Sequence, residues 1–307
     1  MNPLRGIGLK VLSVCVFTAM AICIKASAPH VPPGQAVFFR SFFAMPVILG
    51  WLAWQHDLRY GLHTRYPLGH LWRGLVGTSA MGLGFTALGL LPLPEATALG
   101  YAAPLLTVIF AAMFLGEQVR AFRLTAVGFG LVGVLVVLWP NLSVRGADAA
   151  NPALAVGAMA ALLGAVFAAL AQVFVRKLIH SEKTATIVFY FSLTASILSL
   201  VTLPFGWVVP VPREAVLLVG AGLLGGVGQI LLTESYRHAE TGVIAPFEYV
   251  SMLLALVLGY TLFGEVPTGP MLVGAALIVA AGLYIIWRER QLGIRRAGAR
   301  KVMTPQG

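Results

Sequence analysis

The sequence has 307 residues, of which 59% are hydrophobic and only 10% are charged, and its formal net charge is +10. Soluble domains carry roughly 25% charged residues, so this composition excludes an ordinary soluble protein and indicates a chain that crosses a membrane many times. In such a chain the position of basic residues sets orientation, and no nucleic-acid partner is expected. The histidines and the two cysteines show no metal-binding spacing, and we expect neither a metal nor a cofactor.

Ten apolar stretches follow one another along the chain, each long enough to cross roughly 30 Å of hydrocarbon. Breaks rich in proline and glycine separate several of them, for example PHVPPG at 29–34 and VPTGP at 266–270. The expected fold is therefore an all-α integral membrane protein with ten transmembrane helices. These helices are predicted at about 7–27, 35–54, 71–91, 95–115, 121–139, 153–175, 184–203, 214–236, 242–263 and 269–287.

Basic residues concentrate in alternate loops. With the N-terminus inside, most of the 21 Lys and Arg residues fall in cytoplasmic segments, whereas the outer loops hold only Arg145 and Arg213. Both termini are therefore predicted to be cytoplasmic, with the protein in a bacterial-type inner membrane. Four cations remain within or at the ends of the predicted spans: Lys10, Lys25, Arg40 and Arg73.

The chain contains an internal repeat. When it is shifted by 148 residues, YAAPLLTVIFAAMFLGE at 101–117 aligns with YVSMLLALVLGYTLFGE at 249–265. Because each half holds an odd number of helices, the second copy is predicted to enter the membrane inverted, an arrangement typical of secondary transporters. The predicted units are a first repeat at 1–140, an outer linker at 141–152, a second repeat at 153–290 and a basic cytoplasmic tail at 291–307.

These features resemble the EamA family of the drug/metabolite transporter superfamily. The resemblance rests on the fourth and ninth helices ending in FLGE and LFGE, on the APFEY lead-in to the ninth, and on the two five-helix halves. It implies a carrier of small metabolites with a central cavity lined by the first four helices of each half. Within the family, the YddG-like amino-acid exporters are the preferred comparison.

The expected function is secondary transport by alternating access, most simply export of amino acids or related amphipathic solutes by a monomer in the lipid bilayer. Vitamins such as riboflavin and cationic drugs are the alternative solutes. A membrane-embedded lipid-modifying enzyme is the alternative from another class. It would need a cluster of His, Asp or Ser at one interface, and none is visible, so no enzyme is expected.

Ionisable residues inside a membrane are costly and should face a cavity or a partner. Arg40, set among four phenylalanines, is predicted to grip a substrate carboxylate or to pair with Glu95, with snorkelling to the headgroups as an equal alternative. Lys25 is a possible outer gate, although snorkelling is the simpler interpretation. Glu95 is a second possible gate, but it follows Pro94 in the first turn of a helix, where the dipole alone favours a carboxylate.

Acids and one arginine also gather at the cytoplasmic side. We expect an interfacial set of ion pairs formed by Glu234, Arg237 and Glu240, with a cytoplasmic gate as the alternative. Glu248 is predicted to lie two turns into the ninth helix, where it binds a substrate ammonium, carries a proton, or stays protonated and bonds to a neighbouring helix. Its mate under the 148-residue shift is Gly100, so this carboxylate has no counterpart in the first half.

Uncharged polar residues complete the candidate site. Tyr101 and Tyr249 coincide under the repeat and are predicted to line the central cavity, with packing as the alternative. Gln172 and Gln229 are predicted to bind substrate or to join helices. Glu265 directly follows a glycine, and this pattern indicates that it belongs to a structural motif at the end of a helix.

Overall fold

The computed structural model describes residues 3–56, 61–115, 121–142, 152–178, 181–238 and 244–302. Throughout these residues all regular structure is helical. A short 3-10 helix, Ala245–Tyr249, precedes the α-helix Val250–Phe263. The α-helices are α1 Pro3–Ser27, α2 Pro33–Phe42, α3 Ala44–Trp54, α4 Pro67–Leu90, α5 Leu93–Gly100, α6 Ala102–Leu115, α7 Ala121–Leu142, α8 Pro152–Leu178, α9 Thr184–Leu200, α10 Pro212–His238, α11 Val250–Phe263 and α12 Gly269–Val302.

By length and composition, seven segments of the described chain can cross a membrane. This confirms an all-helical protein with many membrane spans. The helices α4, α9 and α11 occupy the other three predicted segments, so ten crossings stay a prediction. The seven segments are Leu4–Ser27, Pro33–Trp54, Leu93–Phe110, Ala121–Trp139, Pro152–Val175, Pro212–Leu232 and Gly269–Arg288.

Two of the predicted spans are each built from two helices. The span at 35–54 breaks between α2 and α3 at Phe43, and the span at 95–115 breaks between α5 and α6 at Tyr101. Pro46 has no N–H to donate to the carbonyl of residue 42, and Pro104 has none for residue 100. Residues 42 and 100 are the last residues of α2 and α5, so the missing hydrogen bonds coincide with the two helix ends.

Helices from one half pack mainly against helices from the other. The first helix, α1, packs along α10, α4 packs along α8, and α7 packs along α12. The α7–α12 contact is close because two glycines face each other. A Cβ on Gly133 would lie 2.7 Å from the carbonyl oxygen of Gly274, so a larger residue would force the helices apart.

Large apolar side chains cover the outer surface of this bundle. Phe129 is 67% exposed, Leu135 62% and Met159 66%. Such a surface is unfavourable in water and is matched by lipid hydrocarbon. The exposed faces therefore agree with the composition.

Two loop contacts join the halves at opposite ends of the helices. The Gln35 side chain donates to the carbonyl of Val208 at 2.8 Å and accepts from its N–H at 3.1 Å. At the other end, Glu182 accepts from the Thr64 hydroxyl at 2.9 Å and from the Arg65 N–H at 2.8 Å, and the Tyr66 N–H reaches the same oxygen.

The Glu182 carboxyl is held in its charged form by these donors. Burial raises its pKa, but the hydrogen bonds from the Arg65 N–H and the Thr64 hydroxyl, together with nearby His70, outweigh burial. The pKa of Glu182 therefore lies below its ordinary value. Of the two loop contacts, only this one depends on a carboxylate.

Candidate functional site

A cavity of about 580 Å³ lies between the two halves. Side chains from α1, α2, α4, α8, α9 and α10 line it, so both halves contribute to its wall. Its lining is mostly apolar with a few polar groups, the usual composition of a small-molecule site. The polar and aromatic lining residues are Arg40, Arg73, Phe85, Gln172, Phe191 and Gln229.

Arg40 lies in the last turn of α2 and is only 6% exposed, so it faces the protein interior and does not snorkel. Its guanidinium carbon is 5.6 Å from the ring centre of Phe191. The predicted pairing with Glu95 is not observed. Arg40 reaches the cavity as a cation without a carboxylate partner among the described residues.

Arg73 was missed as a site residue by the sequence analysis. It lies two turns into α4, and its guanidinium carbon stacks 3.7 Å from the ring centre of Phe191. The sequence feature that could have identified Arg73 was the position of a charged residue inside a predicted span. Neither its direction around the helix nor its contact with α9 could be derived from that position.

Gln172 of α8 and Gln229 of α10 both line the cavity, where the sequence predicted them to bind substrate. Both belong to the second half, whereas both arginines belong to the first. The cavity therefore has cationic donors on one side of the repeat and neutral amides on the other.

A second cavity, of about 210 Å³, adjoins the first. Leu232 of α10 lines both, so its side chain stands between them. Glu248 and Ser251 line the smaller cavity from one side and Lys10 lines it from α1. The Lys10 Nζ lies 3.4 Å from the Glu248 carboxylate, with side-chain exposures of 5% for the lysine and 50% for the acid.

The position of Glu248 corrects the sequence prediction. It is not two turns into an α-helix, because the residues from Ala245 to Tyr249 form a 3-10 helix and the α-helix begins at Val250. Pro246 lacks an N–H and favours a helix start at this point. Its partner Lys10, 238 residues away in sequence, was also missed.

Tyr101 and Tyr249, which coincide under the repeat, contact each other with ring centres 5.1 Å apart and planes at 72°. The structure places them beside the smaller cavity and not in the lining of the larger one. The Tyr101 hydroxyl bonds to the Ser251 hydroxyl, which in turn donates to the Glu248 carbonyl at 2.7 Å. Both tyrosines lie where a helix breaks, Tyr101 after α5 and Tyr249 before α11.

A largely enclosed ion pair joins the halves at the other end of α1. Lys25 Nζ lies 2.8 Å from the Glu265 carboxylate, with side-chain exposures of 11% and 15%. The same ammonium donates to the carbonyls of Leu88 and Leu91, and Glu265 accepts from the Leu93 N–H at 2.7 Å. Lys25 therefore does not snorkel. Glu265 follows a left-handed glycine at the end of α11, as predicted, and is also half of this pair.

The remaining predicted gate residues are placed as follows. Glu95 lies in the first turn of α5. Glu234 lies in the last turns of α10 and is partly exposed. The side chain of Arg237, and Glu240 as a whole, lie outside the described residues, as does Glu117, the repeat mate of Glu265.

The four cations within or at the ends of the predicted spans have apolar mates in the second half. Under the 148-residue shift they align with residues that are at most 8% exposed. The repeat thus conserves packing positions while placing these charges in one copy only. Lys10, Lys25, Arg40 and Arg73 align with Ala158, Val173, Val188 and Ala221, respectively.

Comparison with known proteins places the chain among transporters. Residues 4–139 and 155–288 each match the EamA-like transporter family. A pseudopaline exporter of Pseudomonas aeruginosa is 30% identical over 280 residues, covering 90% of this chain and 94% of that protein. An S-adenosylmethionine uptake transporter of Rickettsia bellii is 27% identical over 289 residues, with 93% and 94% covered.

A riboflavin transporter of Rhizobium johnstonii is 31% identical over 262 residues, covering 84% of this chain and 82% of the relative. A solved crystal structure with 22% identity shares the fold, with a TM-score of 0.67 over 92% of this chain and 97% of that one. The two family matches together span most of the sequence, and the relatives are all transporters. The chain therefore belongs to the EamA-like transporter family and is a membrane transporter of small molecules, not an enzyme.

Proposed function

We propose that the protein exports amino acids or related amphipathic solutes from the cell by alternating access, using the 580 Å³ cavity as the solute site. The observation that carries this proposal is the cavity itself, formed jointly by both halves and lined by arginine and glutamine side chains. A carrier needs its site between two parts that can move against each other.

The chemistry of the wall favours an amino-acid-type solute. Arg40 offers a guanidinium fork that matches a carboxylate in two parallel hydrogen bonds. Gln172 and Gln229 can accept from an ammonium and donate to neutral oxygen atoms. Glu248, behind Leu232, offers a carboxylate to an ammonium or to a proton that moves during the cycle.

Two halves with opposite orientation are a common basis for alternating access. We infer ten crossings in two inverted five-helix repeats, with both termini in the cytoplasm and the protein acting as a monomer. Support comes from the packing, because the 148-residue shift aligns α1 with α8 and α4 with α10, so the α1–α10 and α4–α8 contacts are equivalent under the repeat. The helix breaks at Tyr101 and Tyr249 agree with the same shift.

A vitamin such as riboflavin is the second candidate solute. It is favoured by the riboflavin transporter among the relatives and by the neutral amides in the cavity wall. A cationic drug fits less well, because two arginines without described carboxylate partners would repel it.

The test begins with purified protein and a panel of amino acids, S-adenosylmethionine and riboflavin. A solute that binds the folded state raises the unfolding temperature, and the best stabiliser is then used in flux measurements on proteoliposomes. We expect an amino-acid-type compound to give the largest shift and a protein-dependent flux. Stabilisation and flux with riboflavin alone would replace the first candidate by the second.

A matched pair of variants on α8 shows whether flux passes through the cavity. Ala168 lines the cavity, whereas Leu163 on the same helix is 49% exposed on the outer surface. We expect Ala168→Trp to abolish flux and Leu163→Trp to retain it. Equal flux in both variants would contradict the assignment of the cavity as the pathway.

A further inference from the structure

Two guanidinium groups in the larger cavity share one aromatic ring. Arg73 stacks on Phe191 at 3.7 Å from the ring centre, and Arg40 lies 5.6 Å from the same centre. Cation–π attraction explains why each arginine lies near the ring. It does not neutralise either charge, and it places two like charges around the same ring.

No described acid compensates these two charges. Among the residues that the structure describes, no carboxylate lies within ion-pair distance of Arg40 or Arg73. Nε of Arg40, and Nε and Nη1 of Arg73, are buried and have no hydrogen-bond partner. Buried donors of charged groups are normally satisfied, so these three point to a ligand that supplies the acceptors.

The surrounding helices leave room for both guanidinium groups. A Cβ on Gly77 of α4 would lie 2.6 Å from Nη1 of Arg73 and 2.9 Å from the Phe191 ring. A Cβ on Gly225 of α10 would lie 3.0 Å from Nε of Arg40. Each arginine therefore has a glycine beside it, and any larger side chain there would displace the guanidinium from its present place.

The repeat shows that packing alone does not require the arginines. Under the 148-residue shift, Arg40 aligns with Val188 and Arg73 with Ala221, both buried and apolar. Val188 lines the same cavity. Equivalent positions of the fold thus accept small apolar side chains, and the two cations add a chemical property to one side of the cavity.

We propose that Arg40 and Arg73 together bind a solute that carries two carboxylates, so that the transporter selects acidic amino acids and related dicarboxylates. This proposal rests on the proposed function and specifies its solute. One carboxylate would leave one of the two neighbouring cations uncompensated, whereas two carboxylates satisfy both guanidinium forks. Met20, Met81 and Phe85 supply an apolar wall for the carbon chain between them.

The test compares each dicarboxylate with the amide that lacks only its second charge. Aspartate and asparagine, glutamate and glutamine, and 2-aminoadipate and its side-chain amide are added at equal concentration to the purified full-length protein, and inorganic phosphate serves as a separate anion. We expect at least one acid to raise the unfolding temperature by several degrees more than its amide. We also expect that acid to compete at least tenfold more strongly for flux in proteoliposomes.

Variants then assign the difference to the two arginines. Arg73→Gln and Arg40→Gln should each abolish the preference for the acid over the amide, while Arg213→Gln, at an exposed position outside both cavities, should keep it. Gly77→Ala should weaken the preference by displacing Arg73. Gly82→Ala, on the same helix with open space around its Cβ, should leave it intact.

Several results would overturn the proposal. One is equal stabilisation by the acid and the amide in every pair. A second is a preference for the acid that remains in both Arg40→Gln and Arg73→Gln. A third is stabilisation by phosphate when no dicarboxylate stabilises the protein. Flux of a neutral amino acid with no acid preference would overturn the dicarboxylate site and leave the proposed amino-acid transport standing. Absence of flux for every compound, with binding of the acids retained, would instead contradict the transport function.

Discussion

Lys10 and Lys25 occupy two ends of the same helix and meet different surroundings. Lys25 and Glu265 are both nearly enclosed, and each has further hydrogen-bond partners in the backbone. Lys10 is equally enclosed, but its partner Glu248 is half exposed in the smaller cavity. The first pair is therefore suited to holding elements together, and the second has an acid that a solute or proton can reach.

The enclosed pair should be strongly coupled in stability. We expect Lys25→Met to lower the free energy of unfolding by roughly 3 kcal/mol, because Glu265 is left as a largely enclosed carboxylate without its cation. The double change Lys25→Met with Glu265→Gln should recover more than about 1 kcal/mol of that loss. Unfolding titrations in mixed detergent measure both values. Additive losses in the double variant would show that the two groups do not interact.

The exposed acid should matter for the transport cycle. We expect Glu248→Gln to reduce flux about tenfold and to flatten its pH dependence, because the amide can neither carry a proton nor compensate Lys10. Flux in proteoliposomes across a pH series is the measurement. Glu214→Gln, which changes an acid outside both cavities, is the control. Wild-type rate and pH dependence in Glu248→Gln would contradict this role.

Sequence reasoning reached only part of this residue-scale picture. It identified Arg40, Gln172 and Gln229 as cavity residues, because polar groups within apolar spans need a partner or a cavity. It missed Lys10 and Arg73, although both lay within or at the ends of spans. Their partners are contributed by other helices, and only the packing of the two halves decides which charges face inward.

At the scale of elements, proline and glycine decide where helices break and where they touch. Pro46 and Pro104 each follow a break by three residues, so the missing proline N–H explains each break once its position is known. The apolar periodicity alone predicted continuous spans, since hydropathy does not report a missing hydrogen bond. The positions of the helices could thus be predicted, but their interruptions could not.

The glycine contact between α7 and α12 gives a test at this scale. Gly133→Ala should lower the free energy of unfolding by about 1–3 kcal/mol, because its Cβ would press on the carbonyl of Gly274 and the helices would have to separate. Gly128→Ala, on the same helix with nothing within 4 Å of its Cβ, should be neutral or slightly stabilising. Equal effects of the two changes in detergent unfolding would show that the close contact contributes nothing.

The Glu182 loop contact should give the stability a pH dependence of known sign. Its pKa is lower in the folded protein than the ordinary value of 4.5, so the carboxylate stabilises the fold above that pH. This contribution disappears as the pH falls through the lowered pKa. We expect Glu182→Gln to cost about 1 kcal/mol near pH 7 and progressively less as the pH falls below 4.5.

Unfolding measurements at several pH values provide the check. Gln35→Met removes the neutral contact at the opposite end of the bundle, so its cost should not vary with pH. A pH-independent cost for Glu182→Gln would mean that its charge is not involved in holding the loops.

For the whole molecule, the orientation of the second half in the membrane is a prediction that labelling can test directly. Val209 is 92% exposed in a predicted outer loop, and Ser181 is exposed in a predicted cytoplasmic loop. After replacement of the native Cys15 and Cys23 by serine, we expect Val209→Cys to react with a membrane-impermeant thiol reagent added to intact cells. Ser181→Cys should react only after the cells are opened. The reverse pattern would invert the topology.

The placement of ion pairs also bears on how the two halves recognise each other. Lys10 and Lys25 come from the first half, and their partners Glu248 and Glu265 come from the second. By the 148-residue shift, two copies of the first half would place Lys10 opposite Gly100, and two copies of the second half would place Glu248 and Glu265 opposite Ala158 and Val173. Only the combination of one first half with one second half forms both pairs, so the charges favour the joining of unlike halves.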